Sequence, residues 1–424
     1  MKSIVALGSV LTTLVIVGNA QGSELVTLNT ICQTALKGTD VAVAERECQA
    51  AVEEAGSRRR NDPEPRAQAY DNLGDLLLAQ TKLAEAEESY RRGISLRERA
   101  FGKFSAETAV SYEKIGNALL KQKKYPDAEI LLARALENRE KVFGEQSREA
   151  ADSLNVLGLA AVIAGNPAKA EGYFQRCAQI REKLFGMRSA DVGRAYQNLA
   201  VAVQSSRGLE AAAPHYEKAL IAMEAALGKD DPALVEIVEG LARVASARKN
   251  PREADAFWRR ALVLRERALG PEHASVAMVL NELGVNAMQL NQLDVAEQAL
   301  RRALAIREKV LGLNHLVTAE AASNLGVLLH AKGDRPSALI LLRHAAAVTH
   351  VGLGGANALT QSRWGNLSKV EQTAVPASAP ADKPVATQAV TPAKPEVAPK
   401  AAGKAPVKKE EKKEEKSSGW GWPF

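Results

Sequence analysis

Histidine, cysteine and acidic side chains are the residues of this chain that could act as metal ligands, nucleophiles or acid–base groups. The chain contains six histidines and three cysteines, and its sequence has no His-Glu-x-x-His, Cys-x-x-Cys or glycine-rich phosphate-binding motif. His330, His344 and His350 are the closest set, but no cysteine or carboxylate completes a metal site with them. We therefore expect no catalytic centre, no metal and no cofactor, and we predict that the chain is not an enzyme.

A 42-residue repeat organises the chain, because seven units follow one another over residues 66–354 without an insertion or deletion. Alanine recurs at this spacing from Ala86 to Ala338, and leucine or isoleucine recurs from Leu73 to Leu325. A fixed period of roughly 20–50 residues is typical of a solenoid, in which each unit packs only on its neighbours. A third row consists of Gly102, Gly144, Gly186, Gly228, Gly270, Gly312 and Gly354.

Each unit is predicted to form two helices joined by a turn. In the first unit Tyr70, Leu73, Gly74 and Leu77 recur at helical spacing, and we expect Gly74 to pack against Ala86 of the second helix. The second helix ends at the glycine row, where a left-handed residue is tolerated. We expect one bulky residue of each second helix to fill the space between units, namely Tyr90, Leu132, Phe174, Tyr216, Trp258, Leu300 and Leu342.

Polar residues recur at both ends of the predicted helices. Side chains suited to an N-cap precede the first helices, with histidines near that place in two units. They are Ser105, Ser147, Ser189, Asp231, His273 and His315. Five second helices end in an Arg-Glu pair, whose recurrence favours packing between units and helix-end electrostatics over a binding role. These pairs are Arg97-Glu98, Arg139-Glu140, Arg181-Glu182, Arg265-Glu266 and Arg307-Glu308.

The order of these residues resembles the tetratricopeptide repeat, in which an aromatic residue or leucine is followed by Leu-Gly, alanine, a second aromatic and a small residue. The period and the segment Arg-Arg-Ala-Leu-Ala-Ile-Arg-Glu-Lys-Val-Leu-Gly at residues 301–312 resemble the kinesin-light-chain type of this repeat. The resemblance implies an all-α fold, a right-handed α-solenoid of stacked helix-turn-helix units with terminal capping helices.

The repeat extends in a weaker form beyond both ends of the regular array. Subtracting one period places Cys32 on the glycine position of a first helix and Ala44 on the alanine row, so residues 24–65 are predicted to form a degenerate unit. Adding one period places Trp364 on the rows of a first helix, so residues 356–372 are predicted to form a capping helix. Terminal units of solenoids are usually atypical because they cap the stack.

The N-terminal 20 residues predict export. Residues 1–20 combine Lys2, an apolar run, and the small residues Gly18 and Ala20, which is typical of a cleaved signal peptide. We therefore expect a periplasmic or secreted protein. An uncleaved anchor is the alternative, because no charge lies between Lys2 and Glu24.

The C-terminal segment, residues 373–424, is rich in Ala, Pro and Lys and is predicted to be a disordered tail. It ends with Trp420, Trp422 and Phe424, three aromatic residues in a tail that has no others. We interpret them as a recognition tag, because exposed aromatic residues usually serve contact. Neutral drift at a disordered end is the alternative.

The resemblance also implies a binding groove lined by the first helices, with the side chains that flank the Leu-Gly pair pointing into it. Asparagine offers both donors and an acceptor, so a ladder of asparagines can hold the backbone of an extended peptide. Lys114 and Gly240 interrupt the ladder, and the alternative is that these asparagines satisfy only local backbone groups. The candidate peptide-binding residues are Asn72, Asn117, Asn155, Arg194, Gln197, Asn198, Arg243, Asn281 and Asn324.

Together these features predict an exported scaffold or adaptor that binds a protein or peptide partner in its groove. The formal charge of +6 lies largely at the chain ends, and from residue 367 onward ten lysines face seven acidic residues. A nucleic acid is therefore not expected as a partner. The alternative is cell-envelope anchoring, or help in secretion or assembly, with the Lys/Pro-rich tail contacting a membrane or the cell wall peripherally.

The register also predicts a disulfide between Cys32 and Cys48. Their rows face each other within a helical hairpin, and an export signal implies an oxidising compartment in which the bond persists. The alternative is two buried thiols in ordinary core sites. Cys177 lies on a small-residue row far from both and is expected to be a free buried thiol.

The signal-peptide prediction can be tested by the intact mass of the protein recovered from the producing cells. We expect the mature chain to begin near Gln21, because Gly18 and Ala20 offer the small residues that a signal peptidase requires. A mass that retains residues 1–20 would favour the uncleaved anchor.

Overall fold

The computed structural model describes residues 23–38, 40–56 and 62–372. The predicted signal peptide (1–20) and the predicted tail (373–424), including Trp420, Trp422 and Phe424, lie outside the described residues. Within the described ranges the chain forms seventeen α-helices and a 3₁₀ turn at Pro232–Leu234, and it contains no strand.

The helices alternate along the array as first and second helices of the units. The N-terminal half contains α1 (Ser23–Leu36), α2 (Val41–Gly56), α3 (Pro63–Ala79), α4 (Leu83–Phe101), α5 (Ala106–Lys121), α6 (Tyr125–Phe143), α7 (Arg148–Ile163) and α8 (Pro167–Phe185). The C-terminal half contains α9 (Ala190–Arg207), α10 (Leu209–Leu227), α11 (Val235–Ala247), α12 (Pro251–Leu269), α13 (Ala274–Gln289), α14 (Leu293–Leu311), α15 (Leu316–Ala331), α16 (Arg335–Leu353) and α17 (Ala358–Gln372).

Each helix packs on the one before it and the one after it. The pairs α3–α4 through α15–α16 form the seven units, and each second helix also contacts the first helix of the next unit. The hairpin α1–α2 precedes unit one, and the single helix α17 packs on α16. The predicted all-α stack of helix pairs is therefore confirmed. In the part of the chain that the structure describes, the helices are too short or too polar to cross a bilayer.

A bulky side chain of the second helix lies against a position of the first helix that has no side chain. A β-carbon added at Gly284 would lie 2.6 Å from Leu300 Cγ. A β-carbon added at Gly74 would likewise clash with the ring of Tyr90. This close contact of the bulky row lies within the unit, not between units as the sequence suggested. In units two, six and seven the same β-carbon would also lie 3.3–3.4 Å from the backbone oxygen of the alanine row.

Unit four departs from this arrangement. Ala200 occupies its small position, and the ring of Tyr216 lies instead against Gly240 in the first helix of unit five. The turn between the helices of unit four is the single residue Gly208, with a φ of +91°. Unit five then begins with the 3₁₀ turn Pro232–Leu234. The junction between units four and five is therefore built differently from those beside it.

A left-handed glycine and a capping side chain fix each boundary between units. The glycine row has φ values from +69° to +92°, a region in which a β-carbon is strained. The predicted serine and aspartate N-caps accept hydrogen bonds from backbone N–H groups of the following helix. His273 and His315 do the same through Nδ1, 3.1 Å from the nitrogens of Ser275 and Val317. The N-cap prediction is confirmed, and both histidines are structural.

The glutamates of two recurring Arg-Glu pairs, and Glu224 at the same position of unit four, bind an arginine on the second helix of the next unit. The contacts are Glu140–Arg176, Glu224–Arg260 and Glu266–Arg302, at 2.6–2.7 Å. In unit two a tyrosine replaces this direct contact, since Tyr112 Oη donates to Glu98 at 2.6 Å and Arg134 lies over the tyrosine ring. The glutamate therefore serves packing between units.

The arginine of the same pair points into the array, and we call Arg97, Arg139, Arg181, Arg265 and Arg307 the arginine row. Arg97 is only 2% exposed and lies 2.7 Å from Glu64 and 2.6 Å from Asp71. It also donates to Ser111 of the next unit at 2.6 Å. Burial opposes its charge, but the hydrogen bonds to Glu64 and the charge of Asp71 outweigh burial and raise the arginine pKa. Arg97 therefore stays charged and ties units one and two together.

Two units lack an arginine at this position. Met223 occupies it in unit four and Thr349 occupies it in unit seven. Thr349 Oγ1 accepts a hydrogen bond of 2.6 Å from Arg363 of α17. The arginine and the hydroxyl have thus exchanged sides at the last junction, and the same buried contact is kept.

Cys32 and Cys48 join α1 and α2 in a disulfide, with their Cα atoms 4.8 Å apart and both side chains fully buried. This is the pairing that the register predicted. The hairpin is attached to unit one through Asn29, whose Nδ2 donates to Pro65 O at 2.8 Å. Cys177 is free and buried, and burial raises the pKa of its thiol to about 11, so it is an unreactive core residue.

The substitution Arg97→Met tests the buried arginine contact with a residue that unit four already uses. We expect it to destabilise units one and two by about 3–5 kcal/mol, because Asp71 would keep a buried charge without its partner. Solenoid units open partly independently, so amide hydrogen exchange of α3 to α5 is the measurement.

Arg92→Met is the control, because Arg92 forms an exposed ion pair with Glu88. We expect it to change local stability by less than about 1 kcal/mol. Equal exchange rates in the Arg97 variant and the parent protein would contradict the role of the arginine row.

Candidate functional site

The first helices of neighbouring units lie close together on one face of the array, which we call the inner face. Contacts join α1 to α3, α3 to α5, α5 to α7, α13 to α15 and α15 to α17. Second helices pack on the first helix of the next unit, and only long side chains such as Glu140 and Arg176 bridge some of them directly. First helices therefore line the inner face, and all the predicted peptide-binding residues belong to them.

The predicted asparagines form side-chain pairs that bridge the boundaries between units. Asn198 Nδ2 donates to Asn155 Oδ1 at 2.9 Å, and Asn324 Nδ2 donates to Asn281 Oδ1 at 2.9 Å. Both pairs span 43 residues, one more than the period. Each pair therefore joins the ladder position of one first helix to the position before it in the preceding first helix. In units one to seven the ladder position holds Asn72, Lys114, Val156, Asn198, Gly240, Glu282 and Asn324.

The arginine row decides which amides form these pairs. In units one, two and five the arginine binds a carboxylate at the position before the ladder residue, namely Asp71, Glu113 or Glu239. Asn155 and Asn281 hold this position in units three and six, where the arginine binds Asp152 or Glu320 instead. Those two amides are therefore free to pair with the next unit. Sequence reasoning listed Asn155 and Asn281 with the ladder and missed that they lie one residue before it, although the 42-residue register marks the difference.

Asn72 belongs to the core rather than to an accessible ladder. It is 1% exposed, and its Oδ1 accepts from Gln68 Nε2 at 2.9 Å and from Gln33 Nε2 at 3.4 Å. Its Nδ2 lies 3.4 Å from Asn29 O. The prediction that Asn72 contacts a peptide directly is therefore corrected, because its hydrogen-bonding groups are engaged within the fold.

Three of the ladder asparagines remain partly accessible. Asn155, Asn198 and Asn324 are half-buried, whereas Asn281 is 2% exposed and supports Asn324 from behind. One hydrogen bond uses one of the two N–H donors of an amide, or one of the two acceptor sites on its oxygen. Each accessible asparagine thus keeps capacity for a ligand, while its pair holds its orientation.

The other predicted site residues divide into engaged and unpaired groups. Arg194 binds Asp191 at 2.7 Å, and Gln197 Nε2 donates to Glu236 at 2.8 Å across a unit boundary. Asn117 Oδ1 and Arg243 Nε are buried and have no hydrogen-bond partner among the described residues. Because both atoms are inaccessible, neither contacts a ligand in this arrangement of the helices.

The two gaps in the ladder have structural explanations. Lys114 binds Asp75 at 2.6 Å, and the same carboxylate accepts a hydrogen bond of 2.6 Å from Tyr90 Oη. Gly240 makes room for the ring of Tyr216. Neither position therefore offers an amide to a ligand.

Aliphatic side chains accompany the amides on the inner face. Three residues after the ladder position lie Val201, Val285 and Val327, all half-buried, and Leu159, which is buried. Met278, one turn before Glu282 on α13, is 37% exposed. The inner face from unit three to unit seven thus alternates hydrogen-bonding groups with apolar contacts, which suits a peptide better than a small polar molecule.

Glu282 holds the ladder position of unit six, where its surroundings disfavour the charged form of the carboxylate. Burial raises its pKa, and the charge of Glu320 raises it further. A long hydrogen bond of 3.4 Å from Asn281 Nδ2 and the charges of Arg307 and Arg243 only partly offset this. Over the described ranges, histidine, cysteine and acidic side chains form no group of three that could hold a metal ion.

Comparison with known proteins identifies the repeat. A family model for the tetratricopeptide repeat matches residues 65–141, 107–183, 149–225, 234–309 and 275–349. The matches are interrupted at the irregular junction between units four and five. No curated protein matches the chain significantly.

Several solved structures are similar to this chain at low identity. BtubC (BKLC) from P. vanneervenii is 21% identical over 60% of this chain and 94% of that chain, with a TM-score of 0.44. The repeats of a putative kinesin light chain of Podosopora anserina are 19% identical over 48% and 96%, with a TM-score of 0.41. The C-terminal part of a repeat protein from Cytophaga hutchinsonii is 14% identical over 69% and 98%, with a TM-score of 0.47. The family matches span more than half of the chain, and together with the stacked helix pairs they show that it belongs to the tetratricopeptide repeat family, the fold of a protein-interaction scaffold.

Proposed function

We propose that this protein is an exported scaffold that binds an extended segment of a partner protein along its inner face. The observation that carries the proposal is the set of half-buried amides Asn155, Asn198 and Asn324. Each is held in place by a second side-chain amide and is flanked by aliphatic residues. Fixed amides bind backbone groups of any sequence, and the aliphatic residues select apolar side chains.

The spacing of the first helices suits an extended chain. Packed helices lie about 8–10 Å apart, and an extended or polyproline segment advances about 3.1–3.4 Å per residue. Three residues of the partner therefore correspond to one unit. A segment that follows units three to seven would contain roughly 15 residues, with one backbone group facing an amide at each unit that has one.

Glu282 supports the same proposal. A half-buried carboxylate that is poorly compensated in the free protein is typical of a functional position rather than of a packing position. A lysine or arginine of the partner at unit six would supply a counter-charge to Glu282, whereas Glu320 already pairs with Arg307 at 3.0 Å. We therefore expect a basic residue in the bound segment at that unit.

Export is part of the proposal and rests on residues 1–20. The buried Cys32–Cys48 disulfide supports it, because disulfides persist in oxidising compartments. Envelope anchoring through the lysine-rich tail is the alternative function, and the composition of residues 373–424 is the observation that favours it. A protein without the tail keeps its partner under the first proposal, and loses its cell-envelope fraction under the second.

Site-specific photo-crosslinking tests the inner face. A photoreactive residue at Val201 or Met278 should crosslink the partner in the producing cells, whereas the same residue at Ile221 or Ile340 should not. Ile221 and Ile340 are 59% and 70% exposed on second helices and are the matched controls. Equal crosslinking from both sets would contradict binding at the inner face.

The crosslinked partner then allows a measurement of affinity. We expect Asn198→Ala to weaken binding by about 1–3 kcal/mol, because a buried backbone group of the partner would lose its hydrogen bond. Asn314→Ala, in an exposed loop between units, is the control and should bind as the parent does. An unchanged affinity of Asn198→Ala, with an unchanged circular dichroism spectrum, would argue against the amide ladder.

The destabilisation of the free protein by the charged form of Glu282 can be tested without a partner. Its pKa is raised in the folded state, so the folded protein should lose stability as the pH rises above the ordinary glutamate value of 4.5. We expect Glu282→Gln to raise the unfolding temperature at pH 7 and to leave it unchanged near pH 4. Glu107→Gln, in the first turn of α5, is the control, and a lower unfolding temperature of Glu282→Gln at pH 7 would contradict the assignment.

A further inference from the structure

We propose that the outer groove between α6 and α8 is a second binding site, which takes one aromatic side chain of a partner protein. The groove encloses a cavity of about 450 Å³ at the junction of units two and three. Leu157, Ala160, Ala161 and Ala164 form its apolar floor, and Tyr125 lies at its rim. These residues belong to second helices and to the side of α7 that faces them, so the site is separate from the inner face.

The cavity exists because unit three lacks a side chain that other units use to close the groove. The residue after the last turn of the first helix usually reaches back to an acidic residue of the previous unit. Gln122 Nε2 lies 3.0 Å from Glu87, and Lys332 Nζ lies 2.6 Å from Glu297. Unit three has Ala164 at this position, and its methyl group reaches no partner across the groove.

The corresponding groove between units four and five shows how larger side chains reduce the cavity. Between units four and five the cavity is about 280 Å³. Val244 takes the position of Ala160, and Arg248 takes the position of Ala164 and binds Glu210 at 2.8 Å. In unit six the position equivalent to Ala164 holds an apolar residue, Leu290. The open floor of three alanines is therefore particular to unit three among these examples.

The lining defines the chemistry of the occupant. A volume of about 450 Å³ falls in the range of ligand cavities and exceeds the need of an aliphatic side chain. The ring of Tyr125 offers an edge-to-face contact to a second aromatic ring. Glu129 and Lys169 form an ion pair of 2.8 Å at the rim, so the site has no net charge to attract a charged side chain.

An indole fits these conditions best. Its apolar body matches the alanine floor, and its single N–H can donate to a carboxylate oxygen of Glu129 at the rim. Tyr173 Oη already makes a long contact of 3.4 Å with the same carboxylate, which shows that an N–H or O–H donor is accepted there. The partner is thus expected to present an exposed tryptophan to the outer side of the array.

The experiment uses the full chain and N-acetyl-L-tryptophanamide as the probe, with ligand-observed NMR as the readout. We expect weak but saturable binding. Ala164→Leu copies Leu290 of unit six and should reduce the affinity at least about tenfold, since a filled floor excludes the ring. N-acetyl-L-lysinamide should not compete with the probe.

Ser206→Leu is the matched control, because Ser206 holds the equivalent position in unit four, where it donates to Glu171 at 2.9 Å. It should leave the affinity for the probe unchanged, and so should Asn198→Ala on the inner face. Tyr125→Ala removes the rim without filling the floor and should weaken binding as well. The proposal is overturned if the probe does not saturate, or if Ala164→Leu, with an unfolding temperature at least that of the parent, binds it equally well.

Discussion

The arginine row of the second helices imposes the constraint on which the inner face depends, because Arg97 and Arg307 are buried and the other three are half-buried. A guanidinium that is nearly inaccessible to water must be paired, because an isolated buried charge costs several kcal/mol. Arg97 meets this requirement with two carboxylates and a serine hydroxyl. In units where this carboxylate occupies the residue directly before the ladder position, that residue cannot be an asparagine that pairs with the next unit. Where the carboxylate lies one turn earlier, as Asp152 does for Arg181, an asparagine takes its place and pairs with the next unit.

The same unit architecture produces two different surfaces. First helices approach one another on the inner face, so their polar side chains can bridge unit boundaries and present ordered amides. Second helices are held by contacts to the first helix between them, and each junction keeps an outer groove that side chains fill to different extents. The inner face therefore varies in its hydrogen-bonding groups, whereas the outer grooves vary in volume, as the cavities of about 450 and 280 Å³ show.

Departures from the repeat are concentrated at the ends and at the junction of units four and five. At the N-terminal end the Cys32–Cys48 disulfide closes a hairpin that has a neighbour on one side only. At the other end Arg363 supplies from α17 the guanidinium that the second helix would otherwise provide. At the junction of units four and five, Met223 replaces the arginine and Tyr216 crosses to the next unit. Stability in a solenoid is a sum over neighbouring contacts, so each departure acts locally.

The sequence by itself determined the helices, their unit boundaries and the pairing of Cys32 with Cys48. These depend on periodicity, on glycines that must be left-handed and on capping side chains, all of which act between residues close in the chain or one period apart. The sequence also placed the asparagines on the first helices. Only the tertiary structure decided that Asn72 is buried, that Asn155 pairs with Asn198, and that Ala164 leaves a cavity open. Those outcomes depend on which of several competing partners a side chain reaches across a unit boundary, and a row of residue types does not specify that choice.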